Sequence, residues 1–355
     1  MSKVINNKSI AVLIVFALLF SLTLVGCGTS TPVNSPANPS TSAPVAATKV
    51  IQVGHVSTAD IQDPYHRFAV KFGENVEKAS NGSIKIKVIS GGQLGQEREM
   101  FEGMQLGTVD MGIMTNSYVS NFVRQVALFD LPFIFPDYDT ANTILDGPVG
   151  QKVLDSFKGS KVTPLAWGVG GFRQLVTNGS GVRTPADLAG KKIRSMETKM
   201  YMNTYKALGV NAVPMAFSET IPGLQQKTID GVDLPITVLA ANRFYDVAKY
   251  ISLTGHFYSP LIIAISDSVW KNLTPEQQAI LKKAAVDAGK EEREFIAKNE
   301  VDKLKVLKDH GMTVIDNVDH AAFQNALANF YQEQKANIGD NLVDELMAAL
   351  KGLKK

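Results

Sequence analysis

Cysteine is almost absent. The 355 residues hold one, Cys27, which rules out an internal disulfide, a cysteine-based metal site and a dithiol redox pair. Histidine is sparse too, with five residues and no His-x-x-x-His pair of the kind that holds zinc. Neither charge is in excess. The 36 basic and 34 acidic residues leave a net +2, and basic clusters such as Lys191-Lys192 are short, so no nucleic-acid footprint is present. There is no nucleophile elbow and no phosphate-cradling glycine loop. The glycines of residues 168–171 lack the dinucleotide fingerprint and its later acidic partner. No enzymatic activity, cofactor or metal is expected. Long apolar runs are missing except for residues 10–25, which are short of the ~20 residues a membrane span needs.

That one run has a clear setting. Lys3 and Lys8 precede it, and Leu24-Val25-Gly26-Cys27 ends it. A short basic region, an apolar core and small residues before a cysteine read as a secretory signal over residues 1–26. The ending resembles a bacterial lipobox, in which the cysteine thiol takes up diacylglycerol. A lone cysteine is otherwise a small core residue; its place here favours lipidation of Cys27. Such a cysteine carries more than one chain, enough for stable anchoring. Residues 27–48 are rich in Ser, Thr, Pro, Asn and Ala and cannot form a core. They are expected to be a flexible tether, which places the body outside the cytoplasm on a lipid anchor.

The rest of the chain is long enough for two domains or one large one. Residues 51–53 read as a strand. Asp63-Pro64 supplies an N-cap and an N1 proline, followed by Phe68, Phe72, Val76 and Ala79 at helical spacing. Residues 84–88 alternate strictly and form a strand with one buried face. A glycine-rich turn at 91–95, a helix over 97–106 closed by Gly107 and a strand over 109–114 follow. This order predicts a parallel sheet with helices on its faces. A second series comprises a strand over 161–167 that gives way to a flexible glycine run, a strand over 192–195, a helix over 198–208 and a strand over 231–234. Thr274-Pro-Glu-Gln277 is a capping box that opens a helix over 275–309, ~50 Å long and wider in reach than one small domain. A strand over 312–315 and two amphipathic helices end the chain. Two α/β domains of this kind meet at a cleft lined by strand ends, where open sheets bind ligands.

Several separated segments then resemble, in order, the solute-binding subunit of tripartite ATP-independent periplasmic (TRAP) transporters. They include GGQLGQERE at residues 91–99, LGTVDM at 106–111, LPFIF at 131–135, LDGPVG at 145–150, GFRQ at 171–174 and PADLAGKKIR at 185–194. Further on come ALG at 207–209, PMAFSE at 214–219, LQQ at 224–226, Asp230-Gly231, Phe244-Tyr245 and LTGH at 253–256. Each is weak alone; the ordered set is specific and, with compatible ends, spans nearly the whole body. The resemblance implies a type II-like periplasmic-binding-protein fold: two α/β domains, a cleft between them and a long helix across both. The expected domains are residues 49–170 with 259–298, and 171–258 with 299–355. It also implies two integral membrane partners, one small and one large, driven by an ion gradient.

Arg194 is the first candidate for binding. It ends the strand Lys192-Ile193-Arg194, and a guanidinium matches a carboxylate with two parallel hydrogen bonds. In the family this motif's arginine is the carboxylate clamp; a salt bridge is the alternative. Arg173, after the glycine run at the domain crossover, matches a family arginine that contacts ligand, with a hinge ion pair as its alternative. Phe217 would form an apolar wall or belong to the core. Asn116 matches a ligand-facing family position, with Thr115 and Ser117 beside it. Asp233 reaches the cleft or caps the core. Leu234 stands where many relatives carry a polar residue, often Asn, which disfavours a heavily hydroxylated sugar acid such as a sialic acid. Gln93 and His66 complete the candidates. Rival readings are a sensor module feeding a membrane receptor, an enzyme acting on a small acid, and the binding protein of an ATP-driven importer.

Overall fold

A computed structural model describes residues 48–353; the signal, the Cys27 lipidation site and nearly all of the tether lie outside the described residues. Nine strands make one sheet: β1 (Lys49–Gly54), β2 (Ile84–Ile89), β3 (Met111–Thr115), β4 (Val162–Thr177), β5 (Lys192–Ser195), β6 (Asn211–Pro214), β7 (Gly231–Pro235), β8 (Tyr250–Ser266) and β9 (Thr313–Ile315). Their order is β2-β1-β3-β8-β4-β7-β5-β6, with β9 beside β8.

The sheet is mixed rather than parallel. β1 runs parallel to β2 and β3, and β5 runs parallel to β6 and β7. β4 and β8 are antiparallel to each other; β4 is also antiparallel to β7 and β8 to β3, while β9 runs parallel to β8. The βαβ series was read correctly within each half. It could not show that two long strands carry the chain across and back in opposite directions. β3 pairs with Leu261–Ile265 of β8, whereas β7 pairs with Arg173–Thr177 of β4. Two lobes are thus built on opposite halves of the same two strands.

The glycine run does not end a strand, as expected; it lies inside β4. These glycines serve close approach. A Cβ at Gly168 would sit 2.6 Å from the Phe68 ring, and Gly171 has φ +122°. β8 escaped the sequence reading because Gly255 and Pro260 resemble turn residues. Pro260 pairs with Val169 beside a register shift, a place in a sheet that tolerates a missing N–H.

Caps formed as read. Asp63 Oδ1 accepts from the amides of Tyr65 (3.0 Å) and His66 (3.3 Å) at the start of the helix Pro64–Ala79. The helix Glu97–Leu106 stops at Gly107, with φ 78°. Thr274 and Gln277 exchange the two bonds of a capping box ahead of the helix Pro275–Asp309. This 35-residue helix packs against the helix Pro64–Ala79, β4 and the helix Ile236–Ala241, so it touches both lobes. Glu292, on its buried face, accepts the Val169 amide (2.9 Å) beside the crossover.

Three helices, not two, end the described chain: His320–Ala326, Phe330–Ile338 and Asp340–Leu353. The last packs against the helices Tyr138–Asp146 and Pro148–Asp155, on the side of the first lobe. No helix among the described residues is long and apolar enough to cross a membrane.

Candidate functional site

The C-terminal ends of the strands in the two lobes face each other across a narrow, nearly closed cavity. The first lobe contributes Val56 after β1, Tyr65 and Glu97 from two helix starts, Thr115 at the end of β3, and Tyr118. The second contributes Arg194 at the end of β5, Met196, Phe217, Leu234 and Val238. Gly170, Arg173 and Ser259 enter from the crossing strands.

Arg194 is 1% exposed. Its Nε donates to the Met215 carbonyl (2.9 Å) and its Nη2 to the Tyr118 hydroxyl (3.2 Å), across the cleft. Among the described residues no carboxylate comes within ion-pair distance of it, whereas Arg173 has one. A buried cation with no carboxylate in contact is costly unless an anion joins it; the nearby Glu97 carboxyl feels its charge without touching it.

Arg173 lies between two register shifts of β4, which re-aim the strand locally. Its Nε donates to Asp233 Oδ2 (2.8 Å), and its Nη2 donates to the Asp233 carbonyl (2.5 Å) and Oδ1 (3.3 Å). Burial opposes ionisation of Asp233, yet Arg173 and the neighbouring His256 hold its carboxyl well below the usual carboxylate range. His256 Nε2 lies 3.6 Å from Asp233 Oδ2 and 3.2 Å from the Tyr205 hydroxyl, and its Nδ1 lies 2.7 Å from Thr254 Oγ1. Arg173 therefore lines the cavity with its charge already matched.

Glu97 is the carboxyl in the wall. Its Oε1 accepts from the Thr115 amide (2.5 Å) and hydroxyl (2.8 Å), and the Thr115 oxygen is also bonded to the Tyr65 hydroxyl (2.6 Å). Burial pushes Glu97 up to about 7 against those bonds. One unmatched cation, several hydroxyls, a carboxyl poised near neutrality and an apolar wall of Leu234, Phe217 and Val238 suit a small anion bearing polar substituents.

Of the candidates read from the sequence, Arg194, Arg173, Phe217 and Leu234 meet in this cavity, with Thr115. Asp233 lies buried beneath Arg173. Asn116 and Ser117 are turned away from the cavity: each bonds Asp130 Oδ1 (2.9 and 2.6 Å), and Asn116 also reaches the Val126 carbonyl. Gln93 is exposed on its turn, and His66 is half-buried against His55, 3.1 Å away. Glu97, Tyr65 and Tyr118 were missed. All three stand where a strand gives way to a helix, or just beyond, and the rule that open sheets bind at strand ends would have singled them out.

The family model for bacterial extracellular solute-binding proteins, family 7, matches residues 54–337. The 2,3-diketo-L-gulonate-binding periplasmic protein YiaO of Escherichia coli is 34% identical over 267 residues, 75% of this chain and 81% of YiaO. A TRAP periplasmic solute-binding protein from Polaromonas, solved with D-erythronate, has a TM-score of 0.82 at 34% identity, covering 84% of this chain and 98% of that one. The sugar acid binding protein DctPAm from Advenella mimigardefordensis, in complex with galactonate, has a TM-score of 0.83 at 28% identity, covering 86% and 99%. These relatives bind solutes rather than transform them. The chain belongs to family 7 of the bacterial extracellular solute-binding proteins, the periplasmic binding components of TRAP transport.

Proposed function

We propose that this chain captures a short hydroxylated monocarboxylate and hands it to the two membrane subunits of an ion-gradient-driven TRAP transporter, while held to the membrane through lipid on Cys27. The observation that carries the reading is Arg194, a guanidinium sealed inside the cleft with no carboxylate partner. Because Asp233 already matches Arg173, Arg194 is the guanidinium of the cavity with no carboxylate in contact, which suits one carboxylate better than two. D-erythronate and galactonate, found in the two related structures, are acids of that class. Leu234 in the wall offers no hydrogen bond and favours the smaller and less hydroxylated of them. The signal and lipobox pattern at residues 1–27 supports the anchor. The crossing of β4 and β8 supports lobes divided near residues 170 and 258.

A thermal-shift screen of the mature protein against organic acids tests this. At saturation, at about 100 times Kd, the true ligand stabilises by about 2.7 kcal/mol. Arg194→Ala should abolish that rise while leaving the ligand-free melting temperature within a few degrees of wild type. Full stabilisation of the variant by the same acid would refute the clamp. If no acid stabilises the wild type, the reading of the cleft as an organic-acid site fails.

A further inference from the structure

A cluster apart from the ligand walls also joins the lobes. Asn242 follows the helix Ile236–Ala241 of the second lobe, and its Nδ2 donates to Ser57 Oγ (3.0 Å) and Asp63 Oδ2 (3.2 Å) of the first. We infer that Asn242 is a latch: its side-chain amide fastens the closed cleft and prolongs the stay of the bound acid without touching it. This rests on the cleft being the organic-acid site.

Position ties each member to the walls. Ser57 follows Val56, Asp63 begins the helix that carries Tyr65, and Asn242 lies one turn beyond Val238, whose carbonyl also accepts from its amide (3.0 Å). Closing the walls on a ligand therefore brings the three together, and parting them pulls the amide away.

The chemistry makes the contact reversible. Asp63 is fully buried, and within its own lobe it accepts from the Ser57 hydroxyl (2.5 Å) and the amides of Tyr65 and His66. When Asn242 leaves, those bonds remain, so the carboxyl is never stranded without donors. Asn242 itself is half-buried at the edge, and its released amide meets water. A group that welded the fold together would leave an unsatisfied partner behind; this one does not. Asn242 is thus a positioning residue that acts through the lobes rather than on the ligand.

The test compares wild type, Asn242→Ala and Ser57→Ala, with D-erythronate as the probe in calorimetry and stopped-flow dissociation. Loss of both cross-lobe bonds predicts for Asn242→Ala a dissociation rate faster by at least about 10-fold, an association rate within about 2-fold of wild type, and an unchanged ligand-free melting temperature. Ser57→Ala, which leaves the Asn242–Asp63 bond, should fall between. Unchanged dissociation in Asn242→Ala would overturn the latch. Should wild type ignore D-erythronate, the same comparison is made with the organic acid that most raises its melting temperature, and unchanged dissociation of that acid from Asn242→Ala overturns the latch while leaving the ligand assignment standing.

Discussion

Arg173 and Asp233 sit on neighbouring antiparallel strands with Nε and Oδ2 2.8 Å apart, both side chains almost fully excluded from solvent. The aspartate neutralises one guanidinium in the cleft and leaves Arg194 as the buried guanidinium with no carboxylate in contact. His256, from the bulged stretch of β8, backs the same carboxylate.

Removing one member of a buried pair strands the other. Asp233→Ala should lower unfolding stability by about 3–5 kcal/mol, read as a shifted urea midpoint at constant slope. Replacing both residues by apolar ones of similar volume should cost clearly less than Asp233→Ala. A single-variant loss below about 1 kcal/mol would show that the pair is not sealed from water.

Stability should fall as pH rises through neutrality. Burial pushes Asp63, Glu97 and Asp130 each up to about 7. The folded protein therefore keeps protons that the unfolded chain releases near pH 4. Where the native state binds more protons, stability decreases with pH. The contribution of these groups is complete below about pH 4 and is lost through about pH 7. Asp233 has the opposite sign, and its contribution is lost only in acid. Melting at fixed ionic strength should thus show a lower Tm at pH 8 than at pH 5.5, and a flat profile would contradict these environments.

Gly289 sits inside the long helix where alanine would ordinarily add about 1 kcal/mol. A Cβ there would lie 2.2 Å from the Trp167 carbonyl in β4. Gly289→Ala should therefore destabilise by about 1–3 kcal/mol, as overpacked sites do. Gly352→Ala, with nothing within 4 Å of the new methyl, serves as the control and should be neutral or slightly stabilising. Denaturant titration of both variants separates steric contact from helix propensity.

Local signals in the sequence carried far. Asp63-Pro64, Gly107 and Thr274-Pro-Glu-Gln277 placed helix ends because caps depend on a few adjacent residues. Arg194 became the first candidate through the family motif around it, on a strand that the residues Lys192-Ile193-Arg194 marked. What remained hidden depended on distant pairing. The length of β8 rests on β3 and β4 on either side of it, and its own Gly255 and Pro260 argue locally for turns. Asn116 was singled out because relatives carry a ligand-facing residue there; here its amide meets Asp130 (2.9 Å), fourteen residues away, a contact nothing local foretells. Glu97 stayed hidden because an acidic residue in a first helical turn ordinarily serves the helix dipole, and nothing local shows that the opposite lobe closes over it.

Two hydrogen-bonded strands, β4 and β8, pass between the lobes while the long helix lies along both. A paired ribbon resists stretching and sideways slip, because either would break its ladder, but it yields to torsion. A rotation of one lobe against the other is the deformation that leaves this ladder intact, so the pairing that hides β4 and β8 from a local reading also sets the direction in which the cleft can open.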